Sequence, residues 1–208
     1  FAQLEGVVAK RIASKLDPTE ADNEYFASRR PSFAGRGRLT PAQRGTATHR
    51  FMQYADYSRA CKSVADELTR LTEDGMLTAE EANAVDARAV ARFFDSGLYA
   101  RMSRAERIYK EYSFTCSVPV SELYPQLPCG LADGEVVLIE GVADCAFVEG
   151  GELVVVDYKT DKASSAAELA ERYGAQLGIY RRCLAEVLGM PVKETVIYSF
   201  RLNESITL

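Results

Sequence analysis

The spacing of apolar residues changes halfway along the chain. In the first half they recur at helical intervals; in the second they alternate with polar residues or gather in short blocks, as in strands. Thr40-Pro41 predicts a helix start, with Thr as N-cap and Pro in the first turn, and the helix runs through His49 to about Tyr57. A second helical stretch covers residues 58–72, and Asp74-Gly75 breaks it. The box Thr78-Ala-Glu-Glu81 opens a helix to about Phe94. Residues 98–110 predict a short helix ending in a charged connection. Upstream, residues 1–16 show weak helical periodicity and residues 17–38 read as a linker.

From Glu111 the pattern is strand-like: Glu111–Val120, Glu135–Glu140, Val142–Glu149, Glu152–Lys159 and Glu194–Leu202. Two prolines and two glycines make Tyr124–Gly134 a loop. A long helix, about Ala166–Leu188, separates the last two strands; Ser165-x-x-Glu168 opens it, and Gly189 followed by Pro191 ends it. Its apolar stripe of Leu169, Tyr173, Gln176, Tyr180, Leu184 and Val187 has a glutamine in the middle, which needs polar partners if buried. The predicted class is α/β, a mixed central β-sheet flanked by helices with an N-terminal helical region.

Composition bounds the chemistry. The chain has 208 residues, 47% of them hydrophobic, a formal charge of −5 and one histidine. That fits one domain, read as an appendage over 1–38 and a domain over 39–208 with a helical insertion at about 58–110. A lone histidine, His49, excludes zinc sites built on two or three imidazoles. The acidic balance argues against nucleic acid at first sight, but residues 27–50 carry six arginines and no acid, leaving −11 on the rest. Arg44 and Arg50 of that stretch lie on the His49 helix. No apolar run has the length of a membrane span, no signal peptide opens the chain, and the five scattered cysteines read as reduced thiols of a cytoplasmic protein.

Two acids stand out. Gly150-Gly151 is a hairpin signal; if it forms the turn, paired positions sum to 301, and Asp144 faces Asp157 with Cβ atoms about 5 Å apart. Lys159, two residues on, shares the face of Asp157. Opposed carboxylates destabilise a sheet unless a cation joins them, and hard oxygen donors without thiolates favour Mg2+ or Mn2+. Asp157 also ends the run Leu153–Val156, which is apolar on both faces and leaves no water face to spend on a charge.

These residues carry a resemblance. Gly-Val-Ala-Asp (141–144), Val-Val-Val-Asp-Tyr-Lys-Thr-Asp (154–161), Tyr173-x-x-Gln176-x-x-x-Tyr180 and the upstream helix over 39–53 with its Gly45-x-x-x-His49 resemble the PD-(D/E)XK nuclease superfamily in its RecB-like branch, and within it the nuclease domains of the AddA family. The resemblance covers about residues 30–205. It implies the restriction-endonuclease-like αβββαβ core. It also implies roles: His49, Asp144, Asp157 and the Tyr158 carbonyl at a metal, Lys159 as catalytic lysine, and Gln176 beside the active site. Arg44, Arg50, Tyr173 and Tyr180 are assigned to DNA. Glu111, at the head of the first core strand, resembles a further acidic position of the family. The cysteine spacing of iron–sulfur-bearing relatives is absent, so no cluster is expected.

The activity implied is Mg2+-dependent exonucleolytic hydrolysis of DNA, with Mn2+ as substitute, on single strands at duplex ends during recombinational repair. The alternative is a catalytically silent DNA-binding or scaffolding module of the same fold. No GxxxxGK[ST] occurs, so an ATP-driven motor would precede Phe1 in a parent protein, and an AddB-like subunit would be the partner.

Overall fold

The computed structural model describes residues 10–12, 40–124, 127–128 and 133–208. The linker expected over 17–38, the arginines upstream of residue 39 and much of the loop over 124–134 lie outside the described residues.

A six-stranded mixed sheet organises the chain. Its strands are β1 (Lys10–Ile12), β2 (Arg107–Pro119), β3 (Val136–Glu149), β4 (Glu152–Lys159), β5 (Val192–Ser199) and β6 (Glu204–Thr207). The order is β1-β3-β4-β5-β6, with β2 on the other edge of β3. Helices α1 (Pro41–Tyr54), α2 (Tyr57–Ala60), α3 (Val64–Glu73), α4 (Ala79–Ala84), α5 (Ala87–Phe94) and α6 (Gly97–Met102) precede β2; α7 (Val120–Leu123) follows it, and α8 (Ala166–Leu188) joins β4 to β5.

The mixed α/β class holds. Several boundaries move, each for a local reason. Lys10–Ile12 is a strand parallel to β3, not part of a helix, because the sheet edge overrides the weak local periodicity. The helix expected to run to Phe94 breaks at Val85–Asp86, where the Asp86 carboxylate caps a new helix through the Arg88 and Ala89 amides. Residues 107–110 belong to β2 rather than to a helix, drawn into a ladder with β3. The two strands expected between 135 and 149 are one, since Gly141 does not interrupt the pairing. Val187 turns outward, 39% exposed, while Leu177 and Cys183 complete the buried face of α8. The cysteines are not all free thiols: Cys116 on β2 and Cys183 on α8 are joined as a disulfide, their Cα atoms 5.6 Å apart. Spacing along the chain carried no sign of that approach across 67 residues.

Side chains leave β4 alternately to two cores. Val154, Val156 and Tyr158 pack with Phe51, Phe93 and the other helices of the first half. Leu153 and Val155 pack with α8 through Leu169, Leu177 and Leu184. Fully burying such side chains stabilises the fold by roughly 1.5–3 kcal/mol each. By the same alternation Asp157 and Lys159 face α8 and Tyr158 faces α1.

Strand β3 positions the site. Along one edge its two ends bond different strands: Leu138–Glu140 pairs with β1 and Cys145–Glu149 with β4. Residues 141–144 pair with neither. The alternation of β3 also changes phase there, since Ile139 and Ala143 but also Ala146 and Val148 belong to the α8 core. Opposite, Tyr109 and Tyr112 of β2 both pack toward that core, so Lys110 and Glu111 turn away together. Glu111 holds the left-handed φ of 46° that this double irregularity requires.

Candidate functional site

His49 arrives on α1. The Thr40–Gln43 capping box and Pro at the first turn fix where that helix begins. Ala47, Phe51 and Met52 bury its inner face. Gly45 lets α1 approach the end of β4, for a Cβ there would stand 2.9 Å from the Thr160 hydroxyl oxygen. His49 Nδ1 lies 3.3 Å from Asp144 Oδ1.

The hairpin register is the expected one: Gly150 and Gly151 take positive φ, and the bonded pairs run from Glu149–Glu152 to Cys145–Val156. The ladder then stops one pair short of Asp144 and Asp157. The Asp144 carboxylate instead accepts a hydrogen bond from the Tyr158 amide, at 2.8 Å. His49, Glu111 and Asp144 each present a ligand atom within 4.8 Å of the others. Glu111 is thereby a member of the cluster and not merely a residue at the head of a strand.

Asp157 and Lys159 stand beside this trio, with Lys159 Nζ 3.0 Å from Asp157 Oδ2 and 3.9 Å from the centre of the Tyr173 ring. The environments drive the two aspartates apart. Burial pushes the Asp157 carboxyl up to about 6, the Asp144 charge adding to it against the pull of Lys159. Asp144 is equally desolvated, but His49 and Lys159 outweigh burial and hold it below the usual carboxylate range. Burial opposes a charged His49, yet Asp144 raises its pKa overall.

Gln176 is buried on α8; its amide nitrogen donates to the Tyr180 hydroxyl at 3.4 Å, and its Oε1 has no hydrogen-bond partner. Tyr180 sits edge-on to Phe114. Tyr173 is 3% and Tyr180 5% exposed, so neither ring lies on the surface where a stacking platform for DNA was expected. Of the two arginines assigned to DNA, Arg44 is exposed, whereas Arg50 bonds Glu81 at 2.7 Å and the Met76 carbonyl at 3.0 Å. Sequence reasoning missed Asp161, which accepts from the Tyr173 hydroxyl, and the Tyr57–Tyr158 contact behind the site.

The donor set is one imidazole and three carboxylates, which suits a hard divalent cation with oxygen-rich coordination. The orphaned Gln176 Oε1, an acceptor with nothing to accept, fits a site completed by a further ligand or by water.

With the acids, lysine and glutamine gathered on a mixed sheet between α1 and α8, sequence comparison agrees: residues 23–206 match the PD-(D/E)XK nuclease superfamily, and the chain belongs to that superfamily. It is 36% identical over 182 residues to the AddA-type ATP-dependent helicase/nuclease of Geobacillus thermodenitrificans, covering 82% of this chain and 14% of that protein. The protein of the same name from Geobacillus kaustophilus is 36% identical over 90% of this chain and 16% of its own length. The one from Clostridium kluyveri is 32% identical over 89% and 16%. The chain thus spans about a sixth of the relatives it resembles. Among the described residues no helix is long and apolar enough to cross a membrane.

Proposed function

We propose that this chain is the nuclease domain of an AddA-type helicase–nuclease and hydrolyses DNA phosphodiester bonds with Mg2+, acting as an exonuclease on single strands at duplex ends. The observation that carries the reading is the convergence of His49, Glu111 and Asp144 within 4.8 Å, beside the Asp157–Lys159 pair. A silent binding module has no use for acids crowded where phosphates must approach. A motor domain and an AddB-like partner would accompany the domain in a bacterial cytoplasm engaged in double-strand-break repair.

His49, Glu111, Asp144, Asp157 and the Tyr158 carbonyl would hold the cation, which when bound supplies Lewis acidity toward a phosphate oxygen and toward water. Mn2+ would substitute. Lys159 stands where it can orient the attacking water and offset charge that develops on the phosphoryl oxygens. Gln176 Oε1 offers an acceptor to that water. Arg44, exposed on α1, would meet the DNA backbone.

The test is degradation of end-labelled single-stranded DNA by the purified chain in Mg2+ or Mn2+. Asp157→Ala and Lys159→Ala should abolish it while leaving the fold intact by circular dichroism. DNA binding in chelator, with no cleavage in either metal, would establish the scaffolding alternative instead.

A further inference from the structure

We infer that Tyr173, with its ring fixed by Asp161, is a positioning residue that holds the Lys159 ammonium over the reaction centre; the inference rests on the nuclease reading above. Lys159 is the last residue of β4, and its flexible stem has many rotamers to choose from. Two contacts restrict it: Asp157 Oδ2 at 3.0 Å and the face of Tyr173 at 3.9 Å from the ring centre.

The two contacts are not equivalent. The Asp157 carboxylate is also wanted by a divalent cation, so metal and lysine compete for its charge. The ring attracts the ammonium through its quadrupole and is no ligand for a hard cation. Tyr173 therefore keeps Lys159 in place when the metal takes up Asp157.

The ring is itself held. Its hydroxyl donates to Asp161 Oδ2, and Arg172 lies against both, 3.8 Å from that oxygen and 5.9 Å from the ring centre. Arg172 is tied in turn to Glu168 at 2.6 Å. Residues 157–161 thus supply the acid, the lysine and the clamp on the lysine's support. With 3% exposure Tyr173 has no open face for a base to stack on.

The contact has a spectroscopic signature independent of turnover. In the purified chain carrying 13C-labelled lysine, the ε-methylene protons of Lys159, assigned by their loss in Lys159→Arg, should be displaced upfield by the ring current. Tyr173→Phe should keep the displacement and Tyr173→Leu should remove it. On single-stranded DNA in Mg2+, Tyr173→Leu should lower kcat about tenfold with KM within roughly twofold, and Tyr173→Phe should restore most of it. Asp161→Ala, which frees the ring to turn, should give a smaller loss in kcat. An undisplaced Lys159 resonance, or full kcat in Tyr173→Leu, overturns the inference and leaves the nuclease reading standing. Absence of cleavage by the unsubstituted chain in both metals overturns the nuclease reading and this inference with it.

Discussion

The hydroxyls of Tyr57 and Tyr158 meet 3.3 Å apart, buried between the helical half and β4. Tyr57 donates to the Met52 carbonyl at 2.9 Å, so Tyr158 is the donor between the two. Lys110 stacks its ammonium 3.6 Å over the Tyr57 ring and donates to the Ala55 carbonyl at the end of α1. Tyr158 thus works twice: its amide fixes Asp144 and its hydroxyl ties β4 to the helix that carries His49.

This arrangement makes the two tyrosines unequal. Tyr158→Phe removes one hydrogen bond and leaves Tyr57 satisfied by Met52, at a cost of about 1 kcal/mol. Tyr57→Phe strands the Tyr158 hydroxyl and the Met52 carbonyl together, and should cost roughly 1–3 kcal/mol. Urea denaturation of both variants and the double variant measures the difference, and equal losses would contradict the assigned donor direction.

Gly141 is required by contact rather than by conformation. A Cβ there would run into the Phe114 ring, which packs on Tyr180. Gly141→Ala should destabilise the chain by about 1–3 kcal/mol, as overpacking does. It should also displace Asp144 three residues on, so divalent-metal affinity by calorimetry should fall more than stability alone explains.

Glu67 has no exposed side-chain surface and holds three groups: the Asp56 amide at 2.7 Å, Arg70 through two hydrogen bonds, and Arg59 at 3.4 Å. Burial pushes its carboxyl up, but Arg70 and the Asp56 amide outweigh it and hold the pKa below the ordinary glutamate value. A lowered folded-state pKa contributes stability that is present above the unfolded value, about 4.3, and is lost as pH falls through the folded one. Glu67→Ala should therefore cost on the order of 3 kcal/mol near pH 7. The gap from the unsubstituted chain should close below pH 4, read from urea midpoints at each pH.

The Cys116–Cys183 disulfide fastens β2 to α8. Reduction, or Cys116→Ala with Cys183→Ala, should lower stability by about 2–4 kcal/mol. Thiol titration in denaturant should count three of the five cysteines before reduction and all five after it.

How legible the site was depended on whether a turn lay close enough to count from. Gly150-Gly151 fixed the β3–β4 register, so the nearness of Asp144 and Asp157 followed from arithmetic. Glu111 pairs across a connection that includes α7, and no tight turn sets its register with Asp144. Its left-handed backbone also breaks the alternation that would have located it. Helix α8 announced both its ends, Ser165 as N-cap and Gly189 at a φ of 63°. The placement of Tyr173 under Lys159 was not visible, because a tyrosine in an apolar stripe gives no sign of what lies across from it.

Because β4 sends its side chains to two cores, the charged centre is assembled from both sides of the sheet. His49 comes in with α1; the support of Lys159 comes in with α8. Neither layer owns a full set, so chemistry exists only while both are docked at once, like a lock that needs two keys. Activity should therefore vanish on warming before the bulk of the helical signal does, the first layer to lift silencing a chain that still looks folded.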